Sequence, residues 1–418
     1  MGEHTTKPNI VRFPSSKKER RKILRESEDK RVRIVTTLRT ACGWLLVIGV
    51  FFFLLTNYRL LTPSSIRSLA GYAIAGFRQH EGDITTISYE NGSFSDGALF
   101  GSGLAYADSD SLYLAKPGGV TTLKQSLGYS DPVVETAGDY ALAYDRGGTK
   151  AVLTNSVAAT ASLELDSPII TGRAAKDGHF VLITDEQGYR TAAAVYDARG
   201  KEVFKYNSSE YYIVSAALSP DGKMLAALAF QQNGVSLDSH VLFYSVSTGE
   251  LSADGMLEGS LGMELCYLSN GTVAALCDDG LYLISRKGKT EHVLTAASSD
   301  LLTFAVRDDA LALATRSYSG GARSDLYTLR ANGRLEGPFS LAAEPSAIAV
   351  SNAGVAVLSA SGVSVYDSGF APLWQNSEAV GARRVLLTDD GTVFALYAKN
   401  TRLFTAHSER SEDISDAT

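Results

Sequence analysis

Six histidines are spread along the chain, at His4, His80, His179, His240, His292 and His407. No two stand at the helical or hairpin spacing from which imidazoles converge on one ion, so a histidine metal centre is not expected. Two acidic clusters, Asp108-Ser109-Asp110-Ser111 and Asp278-Asp279-Gly280, bring carboxylates close enough in sequence for Ca²⁺. The same residues make solvated turns, and that reading is preferred. Of three cysteines, Cys42 borders an apolar run, where it is an acylation position or, by preference, a small apolar residue. Cys266 and Cys277 flank Asn270-Gly271. If those two residues centre the turn, Cys266 faces Ala275 and Cys277 lies two positions further on the same face. A disulfide then needs a longer loop or a shifted register, and two buried free thiols are the expectation.

Nucleophile, zinc and phosphate signatures are missing: no Gly-x-Ser-x-Gly, no His-Glu-x-x-His, no Gly-x-x-x-x-Gly-Lys-Ser/Thr. A non-enzymatic protein without cofactor, metal or small-molecule substrate is therefore expected. The runner-up is a hydrolase or lyase with carboxylates converging on a central channel.

The strongest physical signal is an uncharged, apolar segment. Residues 40–58 contain no Asp, Glu, Lys, Arg or His. Nineteen helical residues at about 1.5 Å each span roughly 28 Å, the thickness of a bilayer core. The expected anchor residues are Trp44, Leu45, Leu46, Val47, Ile48, Phe51, Phe52, Phe53, Leu54, Leu55 and Tyr58, with Trp44 and Tyr58 as interfacial aromatics. A cleaved signal peptide also starts basic and turns apolar. The 39-residue leader and the length of the run favour an uncleaved anchor.

Residues 1–39 hold 12 Lys/Arg against 5 Asp/Glu, a net of +7, whereas residues 59–418 hold 27 against 41, a net of −14. The basic side is expected in the cytosol and the acidic mass outside it, at the plasma membrane. Lys17, Lys18, Arg20, Arg21, Lys22, Arg31, Arg33 and Arg39 are expected to fix topology and touch anionic headgroups. A partner-binding arm is the second reading. Nucleic acid is not expected, because no aromatic residue interleaves with the basic ones after Phe13. Across residues 59–83, Ile66, Leu69, Ala70, Ala73, Ile74 and Phe77 form a short amphipathic helical stripe, and residues 409–418 form an acidic, disordered tail.

From residue 84 to 408 short β-branched and aromatic runs alternate with Gly-containing turns, an all-β texture. A turn signal recurs at Gly138-Asp139, Asp177-Gly178, Asp221-Gly222, Asn270-Gly271, Asp308-Asp309, Asn352-Ala353-Gly354 and Asp390-Gly391. A period of about 40 residues with several strands per unit means the blades of a β-propeller. Eight units are parsed, starting near Phe94, Pro132, Pro168, Tyr211, Gly262, Leu301, Pro345 and Ala382; seven blades is the nearest alternative. The eighth unit lacks a fourth strand, which Ile84–Tyr89 can supply to close the ring. Ala-rich inner strands such as Ala226–Ala229 and Ala310–Ala314 let twisted sheets approach near the axis.

The segments Leu218-Ser219-Pro220-Asp221-Gly222-Lys223 and Val195–Glu202 resemble quinoprotein-like (PQQ-type) and TolB-like propeller repeats. The whole layout resembles uncharacterised single-pass membrane proteins of clostridial and other Gram-positive bacteria. The resemblance implies an extracytoplasmic propeller and transfers no catalytic residue. Quinone binding is not expected, since the chain has two tryptophans, Trp44 and Trp374, where quinoproteins place one in most blades. The reading is a membrane-anchored binding or scaffold protein of the cell envelope, meeting a protein or cell-wall partner. An envelope sensor is a further alternative. The expected contact surface is the propeller mouth carrying Gln231–Ser239 and Arg316–Ser324, the longest loops.

Overall fold

The computed structural model describes Leu38 and residues 41–48, 86–318 and 323–406. The chain divides into two units, Met1–Thr62 and Pro63–Thr418. In the first, residues 41–48 are helical and exposed, Trp44, Leu45, Leu46, Val47 and Ile48 among them. Among the described residues no helix is long and apolar enough to cross a membrane. Phe51 to Tyr58, the eight basic positions, the 59–83 stripe and the 409–418 tail lie outside the described residues.

The second unit is an eight-bladed β-propeller. Of its eight four-stranded antiparallel sheets, seven run in sequence order from inside to outside. Their first strands are Asp96–Phe100, Pro132–Ala137, Ile169–Ala174, Tyr212–Leu218, Gly262–Tyr267, Leu301–Arg307, Ala347–Ser351 and Arg384–Leu387, defining blades 1 to 8. Every unit start read from the sequence falls within three residues of an observed first strand, because each is marked by a turn on either side. In blade 3 the four strands are Ile169–Ala174, Phe180–Thr184, Thr191–Tyr196 and Glu202–Ser208.

The ring closes as a composite sheet. Thr86–Ser88 is the fourth strand of blade 8, with Ile87 opposite Thr401 on the third strand, Asn400–Phe404. Closure leaves the first and last strands of the propeller paired rather than as open edges.

Eight apolar clusters hold the described ring together, one between each pair of consecutive blades. Between blades 3 and 4, for example, Val181 and Val195 meet Leu225, Ala227 and Leu242. Small alanines dominate close to the axis, at Ala216, Ala226, Ala312 and Ala356, all buried, and large rings such as Phe243 and Tyr244 fill the wider gap outward. This taper is what face-to-face packing of radiating sheets demands.

Strand alternation gives the ring two faces. The turns joining strands one and two, and three and four, lie on one face, termed lower. The turns joining strands two and three, with the interblade connections, lie on the upper face. Thr86 starts a fourth strand and Phe404 ends a third strand, so the described chain enters and leaves the propeller on the lower face.

The register of blade 5 differs from the sequence reading. Cys266 faces Ala274, not Ala275, and Cys277 lies opposite Gly262. The loop has three residues, because Leu268 N–H donates to the Thr272 carbonyl while Gly271 takes a φ of +84°. Glycine supplies that left-handed residue at no steric cost. The one-residue shift puts the two thiols on opposite sheet faces. Cys266 packs toward blade 6 and Cys277 toward blade 4, both free and buried.

Candidate functional site

Charged side chains interrupt the apolar first strands, and the ring brings them together around its axis. Arg173 of blade 3 reaches past blade 4 to blade 5, donating from Nη2 to Glu264 Oε1 at 2.9 Å and from Nη1 to the Leu265 carbonyl. The same Glu264 oxygen accepts from Ser215 Oγ of blade 4 at 2.6 Å and from Leu265 N–H at 2.8 Å. Three blades are thus tied at one carboxylate. Burial works against the Arg173 charge, but Glu264 and Glu135 outweigh it and hold the guanidinium above the ordinary arginine value.

Glu135, in the first strand of blade 2, is different. Among the described residues no hydrogen bond or ion pair reaches its carboxyl. Burial pushes it up to about 7, against the pull of Arg173 and with the push of Glu264 and Asp96. A cavity of about 50 Å³ is bounded by Glu135, Thr171, Arg173, Ser215 and Glu264. That volume holds a few waters and is far below a pocket for a drug-sized substrate.

Toward the lower face the channel is crossed by ion pairs. Lys176 of blade 3 meets Asp308 of blade 6 at 3.1 Å. Arg307 of blade 6 lies 3.9 Å from Asp308 and 3.5 Å from Asp389 of blade 8, and donates to the Leu387 carbonyl. These bridges join blades 3, 6 and 8 across the axis. On the upper side Arg384 of blade 8 holds Asp96 of blade 1 at 2.7 Å.

Most of the exposed aromatic and apolar side chains among the described residues lie on the upper face, while Val203, Leu251 and Leu373 are exposed at the lower starts of outer strands. The segment Gln231–Ser239 is not a loop. Its residues continue the second and third strands of blade 4, Met224–Asn233 and Ser236–Ser245, into a hairpin ten residues long on each side. Only Gly234 and Val235 turn, with Gly234 at φ +64°. Buried Asp238 anchors the hairpin by accepting from Asn233 Nδ2 at 2.9 Å and Gly259 N–H at 2.8 Å. Val235 at the tip is fully exposed and Leu237 partly so. Beside it Tyr212 stacks on Phe230 at 5.3 Å, with the Arg190 guanidinium 4.8 Å above the Tyr212 ring. Tyr189, Tyr318 and Val380 are exposed on the same face. The second long loop, between Arg316 and Ser324, also joins strands two and three, in blade 6.

The two acidic clusters are drawn into the protein's own hydrogen bonds, although the buried Asp279 Oδ1 has no partner among the described residues. Asp108 Oδ1 accepts the Asp110 and Ser111 N–H groups, and Oδ2 accepts Asn91 Nδ2. Asp278 Oδ1 accepts Leu261 N–H, and Asp279 Oδ2 accepts Ser260 Oγ and Tyr282 O–H. Among the described residues no group of three or more His, Cys, Asp or Glu is placed to hold a metal ion. His240 pairs with Asp254, fourteen residues away, through Nδ1 at 2.9 and 3.0 Å, while Nε2 lies 3.3 Å from the Gln231 amide. Sequence spacing did not flag this dyad, because strands three and four bring the two together. With both ring nitrogens engaged and the residue 5% exposed, it serves the hairpin base rather than a substrate.

Residues 80–370 match a protein family described as a family of unknown function, DUF5711. Among curated proteins no sequence matches this chain. The crystal structure of BamB from Moraxella catarrhalis is similar at 16% identity and a TM-score of 0.51, over 78% of this chain and 98% of that one. The Cps50 (Swd1) propeller domain of Myceliophteria thermophila follows at 11% identity and 0.47, over 77% of this chain and 98% of that one. Hydrazine synthase of Kuenenia stuttgartiensis gives 12% and 0.44, over 79% of this chain and 98% of that one. At such identities the likeness to BamB shows a common fold, and the fold leaves the role open.

Proposed function

This chain belongs to DUF5711, a family of unknown function, and we propose that it is a membrane-tethered, extracytoplasmic propeller that binds a protein partner at the cell envelope without catalysis. The observation that carries this reading is the asymmetry between the two faces. Ion pairs cross the channel toward the lower face, where the described propeller begins at Thr86. The upper face, opposite the one where Thr86 begins, presents the long blade 4 hairpin with exposed Val235, Tyr212 and Tyr189. Exposed aromatic and apolar side chains on a rigid scaffold are what protein interfaces bury at their centres.

The tether rests on the sequence: an uncharged span at residues 40–58, with net charge +7 before it and −14 after it. A quinoprotein-like ancestry and a clostridial or other Gram-positive setting remain part of this proposal. The test has two arms. Protease added to intact, wall-stripped cells is expected to digest the propeller and spare the basic leader. Affinity capture of the full-length chain from detergent extracts is expected to recover a defined protein that the Val235→Asp/Leu237→Asp variant loses. Digestion only after lysis sinks the topology; undiminished capture by the variant sinks the surface.

A further inference from the structure

The charges around Glu135 do not balance. Asp96, Glu135 and Glu264 are three carboxylates, and Arg173 and Arg384 are two guanidiniums. Arg384 is matched to Asp96 at 2.7 Å and Arg173 to Glu264 at 2.9 Å. Glu135 is left over beside the cavity of about 50 Å³, and the net charge with Glu135 ionised is three negative against two positive, or −1. One further positive charge would close the account.

We propose that this cavity is a receptor for one primary ammonium group, the head of a lysine side chain presented by the protein partner on the upper face, which ion-pairs with Glu135. The inference rests on the docking reading above and names what that partner must carry. An ammonium group is about the size of a water molecule and fits the volume. A guanidinium is a wide planar fork and needs more room. An anion would meet two carboxylates, Glu135 and Glu264. Lys176–Asp308 and Arg307–Asp389 cross the channel on the lower side.

The groups facing Glu135 fix the signature of binding. Burial holds its carboxyl near 7, with Arg173 and Arg384 lowering it and Glu264 and Asp96 raising it. An incoming ammonium favours the ionised form and displaces the proton. Binding near pH 6 should therefore release close to one proton per site, and binding near pH 8.5 almost none.

The probe is n-butylammonium, titrated calorimetrically into the full-length protein in detergent micelles, in two buffers of different ionisation enthalpy, with n-butanol and methylguanidinium as controls. The expected result is saturable millimolar binding of n-butylammonium with proton release near pH 6, at least tenfold weaker binding of both controls, and loss of the released proton in Glu135→Gln. Glu135→Asp, which keeps the carboxylate, should keep the proton release with weaker binding. Absence of saturable binding, binding without proton release, or unchanged release in Glu135→Gln would overturn the site. If n-butylammonium binds as described while Val235→Asp/Leu237→Asp still captures its partner, the docking reading falls and the ammonium site stands. If the partner is lost from that variant but n-butylammonium does not bind, the site falls and docking stands.

Discussion

Glu135 is an acid in a place that favours its neutral form, and this gives it a visible effect on stability. Its folded value of about 7 lies above the ordinary 4.5, so the folded chain keeps this proton longer than the unfolded chain. The group is therefore neutral toward folding below about pH 4, costs stability progressively as pH rises between the two values, and costs a constant amount above about pH 7. Glu135→Gln should raise the thermal midpoint by several degrees near pH 8 and by much less near pH 4.5. Equal shifts at both pH values would remove burial as the cause. The cysteines give a second residue-scale test. Burial pushes the Cys266 thiol up to about 12 and raises Cys277 as well. Neither should react with a disulfide reagent near pH 8 until denaturant is added, and prompt reaction of either in the native protein would contradict the buried register.

At the scale of elements, ring closure depends on a three-residue strand. Ile87 is 1% exposed and packs against Leu396 and Leu403 of blade 8 and Tyr106 of blade 1. Ile87→Ala should cost about 2–5 kcal/mol in chemical denaturation. A loss below about 1 kcal/mol would mean that closure does not depend on this strand. The blade 4 hairpin makes the opposite prediction. Its outer rungs project beyond the packed clusters, so Val235→Asp/Leu237→Asp should change stability by less than about 1 kcal/mol while abolishing partner capture.

Blades were legible because Asp-Gly and Asn-Gly turns punctuate them at even intervals, and a turn is a local property of two or three residues. The blade 5 register was not, since a two-residue and a three-residue loop share the Asn270-Gly271 signal and differ in one left-handed glycine. The hairpin read as a loop because Gln231, Gln232 and Asn233 are polar on both faces, as strands that extend past the core can be. The channel charges were missed for a related reason. Glu135, Arg173 and Glu264 are isolated in their own strands, and only the ring places residues 91 and 49 positions apart within bonding distance. A usable signal existed: a single charge interrupts the otherwise uncharged first strand of units 2, 3 and 5.

In the whole molecule, a charge-divided chain carries a propeller with two unlike faces. The described propeller begins and ends on the face where ion pairs cross the channel, and most of its exposed aromatic and apolar side chains lie on the other. A net of −14 over residues 59–418 favours basic partners, in keeping with an ammonium receptor beneath the upper mouth. The most direct test is site-specific photo-crosslinking in living cells, with the photoreactive residue placed at Val235 on the upper face or at Leu373 on the lower rim, both exposed. The account predicts a discrete protein adduct from Val235 and none from Leu373. An adduct from Leu373 alone, or none from Val235 when the protein is present at normal levels, would contradict it.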